Sequence, residues 1–273
     1  MDKGSNAALK ASIGILGGSG LYHMPGFEAH QAVTVETPWG MPSDPYVIGT
    51  LEGKEVAFLA RHGKGHRYMP SELNFRANIW GFKTLGVERI VSLSAVGSLK
   101  EEHKPLEFVI PDQFFDRTAG RISTFFGDGL VAHVSMADPV CSELAAQVEA
   151  ACATTSVTAK RGGTYLCMEG PAFSTRAESV MHRLWGGGVI GMTAMPEAKL
   201  AKEAEIAYAL LALVTDYDCW KAPAPGASHD PAVLLKEIIG NLDAATRNAI
   251  DLLRKTVERM STRKDELLRS PAL

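Results

Sequence analysis

Two carboxylates set two residues apart, Asp216 and Asp218, close an uncharged apolar run that begins at Leu210 and is followed by Cys219-Trp220. The run has the length and composition of a buried strand, and Ile206-Ala-Tyr-Ala leads into it. Such a strand delivers its acids to its carboxyl end, where the ligands of open α/β sheets sit. Residues two apart on a strand share a side, so both carboxylates can face one ligand. There they can grip a group offering two hydrogens, or set a proton-bearing acid beside an ionised one. Taken alone, a D-x-D at a strand end reads more simply as a turn cap beside a solvated acid; the residues around it change that reading.

Three other strand ends carry donors for a tetrahedral anion. Ser12-Ile-Gly-Ile-Leu-Gly-Gly-Ser-Gly20 reads as a short buried strand entering a glycine-rich turn, with the Ser19 hydroxyl as donor. The turn is not the dinucleotide fingerprint, whose third glycine would fall on His23. No Gly-Lys-Ser/Thr exists, and the nucleophile elbow would need glycine at Leu21. Tyr46–Leu51 and Glu55–Ala60 alternate as a β-hairpin whose second strand runs into Arg61-His-Gly-Lys-Gly-His-Arg67. Arg61 can offer a bidentate fork to phosphate or carboxylate, with His62 beside it. The strand Arg89–Ala95 breaks into a turn at Val96-Gly97-Ser98, leaving Ser94 and the nearby backbone amides for a ligand, while Ser92 can bond to neighbouring backbone.

The elements that position these groups alternate in type. A helix runs from Pro70 to Leu85, a strand covers Phe108 to Phe115, and a long loop, itself a sign of function, runs from Asp116 to His133. A helix from Pro139 to Cys152 and a strand at Thr164–Cys167 follow. Thr175 and Glu178 form a capping box, so a helix starts there with Phe173-Ser174 at its mouth, an aromatic face and a hydroxyl suited to a flat heterocycle. Gly186–Thr193 reads as a strand ending in Met192-Thr193, before a helix with Pro196 at its first position. After the proline-broken loop Lys221–Asp230, Asp230 caps a C-terminal helix with Val233, Leu234, Ile238 and Leu242 at helical spacing. The expected organisation is a disordered segment 1–11, one α/β domain over 12–260, and a charged, frayed end over 261–273.

The composition narrows the ligand. With 273 residues, 46% hydrophobic and 22% charged, the chain is an ordinary globular protein. A net charge of -3 and no block of like charges leave no electrostatic footprint for nucleic acid, and small ligands are expected. No stretch reaches the ~20 apolar residues that span a bilayer, and Met1-Asp-Lys-Gly-Ser-Asn lacks a signal-peptide core, so a cytoplasmic location is expected. Cys141, Cys152, Cys167 and Cys219 are scattered, as buried reduced thiols would be, without metal-site spacing.

Gly17-Gly-Ser-Gly20, Arg61-His-Gly63, Ser94-Ala-Val-Gly-Ser98, Met168-Glu-Gly-Pro171 with Phe173-Ser174, Met192-Thr193 and Thr215-Asp-Tyr-Asp-Cys-Trp220 together resemble the methylthioadenosine phosphorylases, in the trimeric branch of the purine nucleoside phosphorylases. The likeness runs from about Ile13 into the C-terminal helix. It implies a mixed central sheet partly closed into a barrel and flanked by helices, assembled as a homotrimer with active sites at subunit interfaces. It implies phosphorolysis of S-methyl-5'-thioadenosine to adenine and methylthioribose 1-phosphate, with neither metal nor organic cofactor. By the same resemblance Ser19, Arg61, His62, Ser94 and Thr193 hold phosphate with the Ala95 amide. Met192 packs on the ribose, Phe173, Ser174, Asp216 and Asp218 define the base site, and His133 reaches the alkylthio pocket of a neighbouring subunit.

The residue chemistry agrees. Asp216 is the group expected to donate to the imidazole-ring nitrogen of the departing adenine, and Asp218 to accept from its exocyclic amine. That pairing disfavours a 6-oxo purine, whose carbonyl would face a carboxylate. Two departures from the family stand out. Ser19 stands where eukaryotic members usually have threonine. His229 lies where methylthioadenosine-specific members tend to present valine-type contacts, so that it either admits adenosine as well or is turned to solvent by the longer loop. The competing readings are a broader or 6-oxo nucleoside phosphorylase acting on adenosine, methylthioinosine or inosine, and a non-catalytic nucleoside-binding module.

Overall fold

The structure is a computed structural model that describes residues 11–18, 24–222 and 231–260. Ser19, His229, the Asp230 cap and residues 261–273 lie outside them. Ala11 is buried, with its N–H on Leu85 O at 3.1 Å.

In chain order the elements are β1 (Ile13–Gly17), β2 (Phe27–Val33), β3 (Tyr46–Leu51), β4 (Lys54–Ala60), a 3-10 turn at Pro70–Glu72, α1 (Phe75–Thr84) and β5 (Arg89–Ser98). There follow β6 (Phe108–Ile110), β7 (Gln113–Arg117), α2 (Ser142–Cys152), β8 (Ala159–Arg161), β9 (Thr164–Met168) and α3 (Arg176–Leu184). The last are β10 (Gly187–Gly191), α4 (Ala194–Glu203), β11 (Ala207–Tyr217) and α5 (Pro231–Arg259).

The strands join in one mixed sheet built around β5. On one edge β5 runs parallel to β1 from Arg89 to Ser92, and further along the same strand β10 pairs with it antiparallel at Gly97 and Ser98. On its other side β11 runs parallel to it from end to end. Among the described residues, Leu93 to Val96 therefore fall in a fork between β1 and β10, the kind of opening in which α/β sheets bind ligands.

The apolar alternation of β11 supports both faces of this sheet. Tyr208, Leu210, Ala212 and Val214 pack in the core shared with α1 and α4, while Ala209, Leu211 and Leu213 pack in the core shared with α2 and α5. Each fully buried Leu or Val contributes about 1.5–3 kcal/mol. The strand that ends in the two carboxylates is thus anchored from both sides.

Several boundaries differ from the sequence reading for identifiable reasons. β5 does not turn at Val96 but continues to Ser98, because β11 and β10 both pair with it there. The first helix starts at Phe75, where the Asn74 side chain caps Ala77 N at 3.2 Å. Pro111, which has no N–H to donate, separates β6 from β7, and the two strands join different neighbours. Backbone at Met195 and Pro196 is non-helical, so regular helix begins at Glu197. β2 has an exposed, polar middle and β8 is Ala-Lys-Arg, so neither shows an apolar alternation. In α5 the buried face is Ala245, Ala249, Leu252, Leu253 and Val257, whereas Val233 is exposed. The Thr175–Glu178 capping box forms as expected, with Glu178 N on Thr175 Oγ1 at 3.2 Å and Thr175 N on Glu178 Oε2 at 2.7 Å.

Candidate active site

The two carboxylates meet over a glycine. β11 slips register between Val214 and Asp216, leaving Thr215 as a bulge whose carbonyl accepts from Asn241 Nδ2 at 2.7 Å. Beyond the bulge Asp216 pairs with Gly97, and Asp218 N donates to Ser98 O at 2.9 Å. A Cβ on Gly97 would stand 3.6 Å from Asp216 Oδ2 and 3.5 Å from Asp218 Cβ, so both acids flank the same spot. Thr215 Oγ1 donates to Asp216 Oδ1 at 2.7 Å. Asp218 is 8% exposed, and its Oδ2 has no hydrogen-bond partner among the described residues. A buried carboxylate oxygen in that condition costs free energy until a donor reaches it.

The segment carrying Asp218 is pinned from the side. Trp220 Nε1 donates to Ser98 O at 2.8 Å, and the Arg183 guanidinium lies 3.6 Å from the Trp220 ring. Cys219 Sγ donates to Ser174 O at 3.2 Å, which brings the mouth of α3 against the acids. Phe173, in the same loop, is 73% exposed. A Cβ on Gly170 would fall 2.6 Å from Met192 Sδ, so this loop lies directly on the end of β10.

The oxygen donors converge at the fork. Ser94 Oγ lies 3.4 Å from Thr193 Oγ1 and 3.0 Å from the hydroxyl of Tyr165; all three side chains are buried. Ala95 is exposed. From Ser94 to Gly97 is three residues of extended strand, roughly 10 Å at ~3.3 Å per residue. The hydroxyl end and the carboxylate end are therefore two stations on β5.

Arg61 reaches the fork from below. It is 2% exposed, and its Nη1 donates to Leu93 O at 2.8 Å. The sequence reading missed its partner, Glu197, which is 1% exposed. Arg61 Nε is ion-paired with Glu197 Oε1, and Nη2 contacts Glu197 Oε2 at 3.2 Å and Ser92 Oγ at 2.6 Å. Ser92 and Tyr208 hydroxyls each donate to Glu197 Oε2 at 3.0 Å. Burial works against the Arg61 charge, and the adjoining carboxylate more than restores it. The fork of the guanidinium is thus occupied by a carboxylate of the protein itself, and Ser92 serves that pair rather than backbone.

His62 is held in one tautomer. Its Nδ1 lies 2.8 Å from Tyr68 O, which can only accept, so Nδ1 carries the hydrogen. The ring stacks on His66 at 4.2 Å. Burial first, and the Arg61 charge next, push its pKa down to about 4. An unfolded histidine takes its proton near 6.5, so between that pH and about 4 the unfolded chain binds more protons than the folded one. The ligand-free protein should therefore lose stability as pH falls through this window, and His62→Gln should flatten the slope of melting temperature against pH. An unchanged slope would assign the loss to His103 and His182, which burial shifts in the same direction.

A second cation missed by sequence, Arg121, ties the long loop to the site. Nη1 donates to Met192 O and Met195 O, both at 2.7 Å, and Nη2 to Glu169 O at 2.7 Å. Glu169 returns the contact by accepting from Ala119 N at 2.6 Å. His133, further along this loop, is exposed and its side chain bonds to none of the described residues. Contacts through β5, β10 and β11 thus link Arg61, Ser94, Thr193, Met192, Ser174, Asp216 and Asp218, and none of these contacts reaches His133. Among the described residues no three His, Cys, Asp or Glu side chains are grouped as a metal site would require, and no helix is long and apolar enough to cross a membrane.

This fork presents buried hydroxyls at one station and paired carboxylates at the other. The chain belongs to the phosphorylase superfamily, whose family model matches residues 12–258. It is 62% identical to the S-methyl-5'-thioadenosine phosphorylase of Koribacter versatilis, over 92% of this chain and 84% of that one. It is 56% identical to the enzyme of the same name from Thermosynechococcus vestitus, over 92% and 86%. Among solved structures, a methylthioadenosine phosphorylase from an antarctic soil metagenomic library superposes with a TM-score of 0.84 at 53% identity, over 91% of this chain and 86% of that one. A mutant of the adenosine/methylthioadenosine phosphorylase of Schistosoma mansoni, in complex with methylthioadenosine, does so with a TM-score of 0.86 at 32% identity, over 96% of each chain. The resemblance drawn from the dispersed motifs is borne out, as is a mixed α/β fold with a large central sheet flanked by helices.

Proposed function

We propose that this protein catalyses phosphorolysis of S-methyl-5'-thioadenosine, forming adenine and methylthioribose 1-phosphate. The observation that carries the base end of this reading is the buried, unpartnered Asp218 Oδ2, set beside Asp216 on the strand that also bears Ser94. An acceptor in that position calls for an N–H donor; a 6-amino purine supplies one at position 6, where a 6-oxo purine presents a carbonyl acceptor and carries its N–H at N1 instead. The names of the relatives support the same substrate.

In this reading Ser94, Thr193 and the Ala95 amide hold phosphate, with Ser19 completing the cradle and Arg61 beneath it, while His62, its Nδ1 hydrogen committed to Tyr68 O, accepts at Nε2 from a protonated phosphate oxygen. As the C1'–N9 bond breaks, a phosphate oxygen forms the new bond at C1'. The electron pair of the broken bond passes to the purine, and Asp216 donates a proton or hydrogen bond to its imidazole ring. Asp218 accepts from the exocyclic amine, Met192 packs on the ribose, and Phe173 and Ser174 border the base. Positive charge developing on the sugar is stabilised by the phosphate held against it.

The protein works as a homotrimer, with His133 of one subunit completing the alkylthio pocket of the next. Supporting this are the large apolar side chains left exposed on the single chain: Ile122, Leu130 and Val131 in the long loop, and Val180 and Leu184 on α3, the last 82% exposed. The reaction needs no metal or organic cofactor, and the protein is cytoplasmic.

Initial rates of base release, followed by ultraviolet absorbance for methylthioadenosine, adenosine, methylthioinosine and inosine with and without phosphate, test the reading. The expected result is the highest kcat/KM for methylthioadenosine, measurable turnover of adenosine, and no turnover without phosphate. Equal adenine release in phosphate-free buffer would make the enzyme a hydrolase, and a preference for inosine would overturn the role given to Asp218.

A further inference from the structure

We propose that Tyr165 is a positioning residue of the anion cradle, its buried hydroxyl dictating where the Ser94 hydroxyl sends its proton. This deepens the reading given above and rests on it.

The argument is one of hydrogen-bond direction. Thr193 N approaches the Tyr165 hydroxyl oxygen at 3.5 Å, and a backbone N–H can only donate. Tyr165 therefore accepts there, and its own proton is left for Ser94 Oγ, 3.0 Å away. Receiving that proton fills an acceptor position on Ser94. The single Ser94 proton then has three destinations: Ala95 O at 3.2 Å, Thr193 Oγ1 at 3.4 Å, or an anion in the fork. An ionised phosphate oxygen outcompetes the two neutral acceptors. The chain of donors thus runs one way, from Thr193 N–H through Tyr165 to Ser94 and out to the ligand. Without the tyrosine hydroxyl, one lone pair of Ser94 Oγ is no longer engaged and the serine rotor gains a further staggered position for its proton.

Two further observations fit a hydroxyl retained for its polarity. Tyr165 is fully buried and burial raises its pKa well above the ordinary tyrosine range, so it remains a donor at any working pH. Space for the hydroxyl comes from Gly191 at the end of β10, where a Cβ would lie 2.1 Å from the tyrosine oxygen and 3.2 Å from Val96 Cγ1. The ring itself is held independently, edge-on to Phe114 at 5.8 Å, so removing only the oxygen leaves the packing in place.

Steady-state kinetics of Tyr165→Phe test the proposal, varying phosphate at saturating methylthioadenosine and then the reverse. Losing the orienting group should raise KM for phosphate about tenfold, while KM for the nucleoside stays within about twofold and the melting temperature within a few degrees. A phosphate KM unchanged from wild type overturns the proposal, as does a parallel rise in both KM values. Gly191→Ala reaches the same hydroxyl by displacing it and should show the same split if Tyr165→Phe does not fold. A wild-type enzyme that releases adenine without phosphate overturns both the site reading and this role. A phosphate-dependent wild type with unaltered phosphate KM in the variants removes Tyr165 alone.

Discussion

Asp216→Asn should lower kcat for methylthioadenosine by about 10²–10⁴-fold, the range that a positioned general acid supplies. The substitution is nearly isosteric and keeps an oxygen to accept from Thr215 Oγ1, so the bulge at Thr215 and its Asn241 contact should survive. Asp216 is half-buried at the last pairing but one of β11, and its replacement by asparagine opens no cavity. What the amide cannot do is transfer a proton to the departing base. The defect should therefore fall on kcat, with nucleoside KM changing by less than about threefold and denaturant midpoint unaltered. Rapid-quench measurement of the first turnover separates chemistry from product release. Turnover within threefold of wild type would remove Asp216 from the proton path.

The parts of the site legible in sequence are those that a single segment declares. Asp216 and Asp218 close an apolar strand, Ser94 interrupts another, Thr193 lies just beyond a third, and the capping box at Thr175 marks the mouth of α3; each needs only local periodicity. The unread parts are those whose meaning depends on distant segments. Glu197 follows Pro196 in what looks like an ordinary acidic first helical turn, yet it is buried because Arg61, Ser92 and Tyr208 all converge on it. A signal was present: Ser92 and Tyr208 are polar residues inside otherwise apolar buried strands, and such groups require partners. Arg121 was hidden in a loop read as a whole, although a cation there holds three carbonyls of two other segments. Edge strands β2 and β8 escaped because solvent-facing strands lose the alternation that marks buried ones. The extension of β5 to Ser98 follows from pairing with β11 and β10, which no property of Val96-Gly97-Ser98 announces.

Glu197→Ala should destabilise the protein by about 3–5 kcal/mol, the cost of stripping one partner from a buried ion pair. Set against a total folding stability of about 5–15 kcal/mol, that is a large share. The Arg61 guanidinium would keep its bonds to Leu93 O and Ser92 Oγ but lose its counter-charge, and the Tyr208 and Ser92 hydroxyls would lose their common acceptor. Equilibrium denaturation of the ligand-free variant reads the loss directly, and a change below about 1 kcal/mol would show that water replaces the carboxylate. The pair need not be there for stability, however, because well-packed apolar replacements of buried ion pairs are often neutral or better. A double variant, Arg61→Met with Glu197→Leu, should accordingly recover most of the stability while phosphate KM stays raised at least tenfold, since no cation then lies beneath the fork. Recovery of both would reduce Arg61 to a packing element. Recovery of stability alone would mean that Glu197 is kept because the cation required by the substrate must be tolerated when no phosphate is bound.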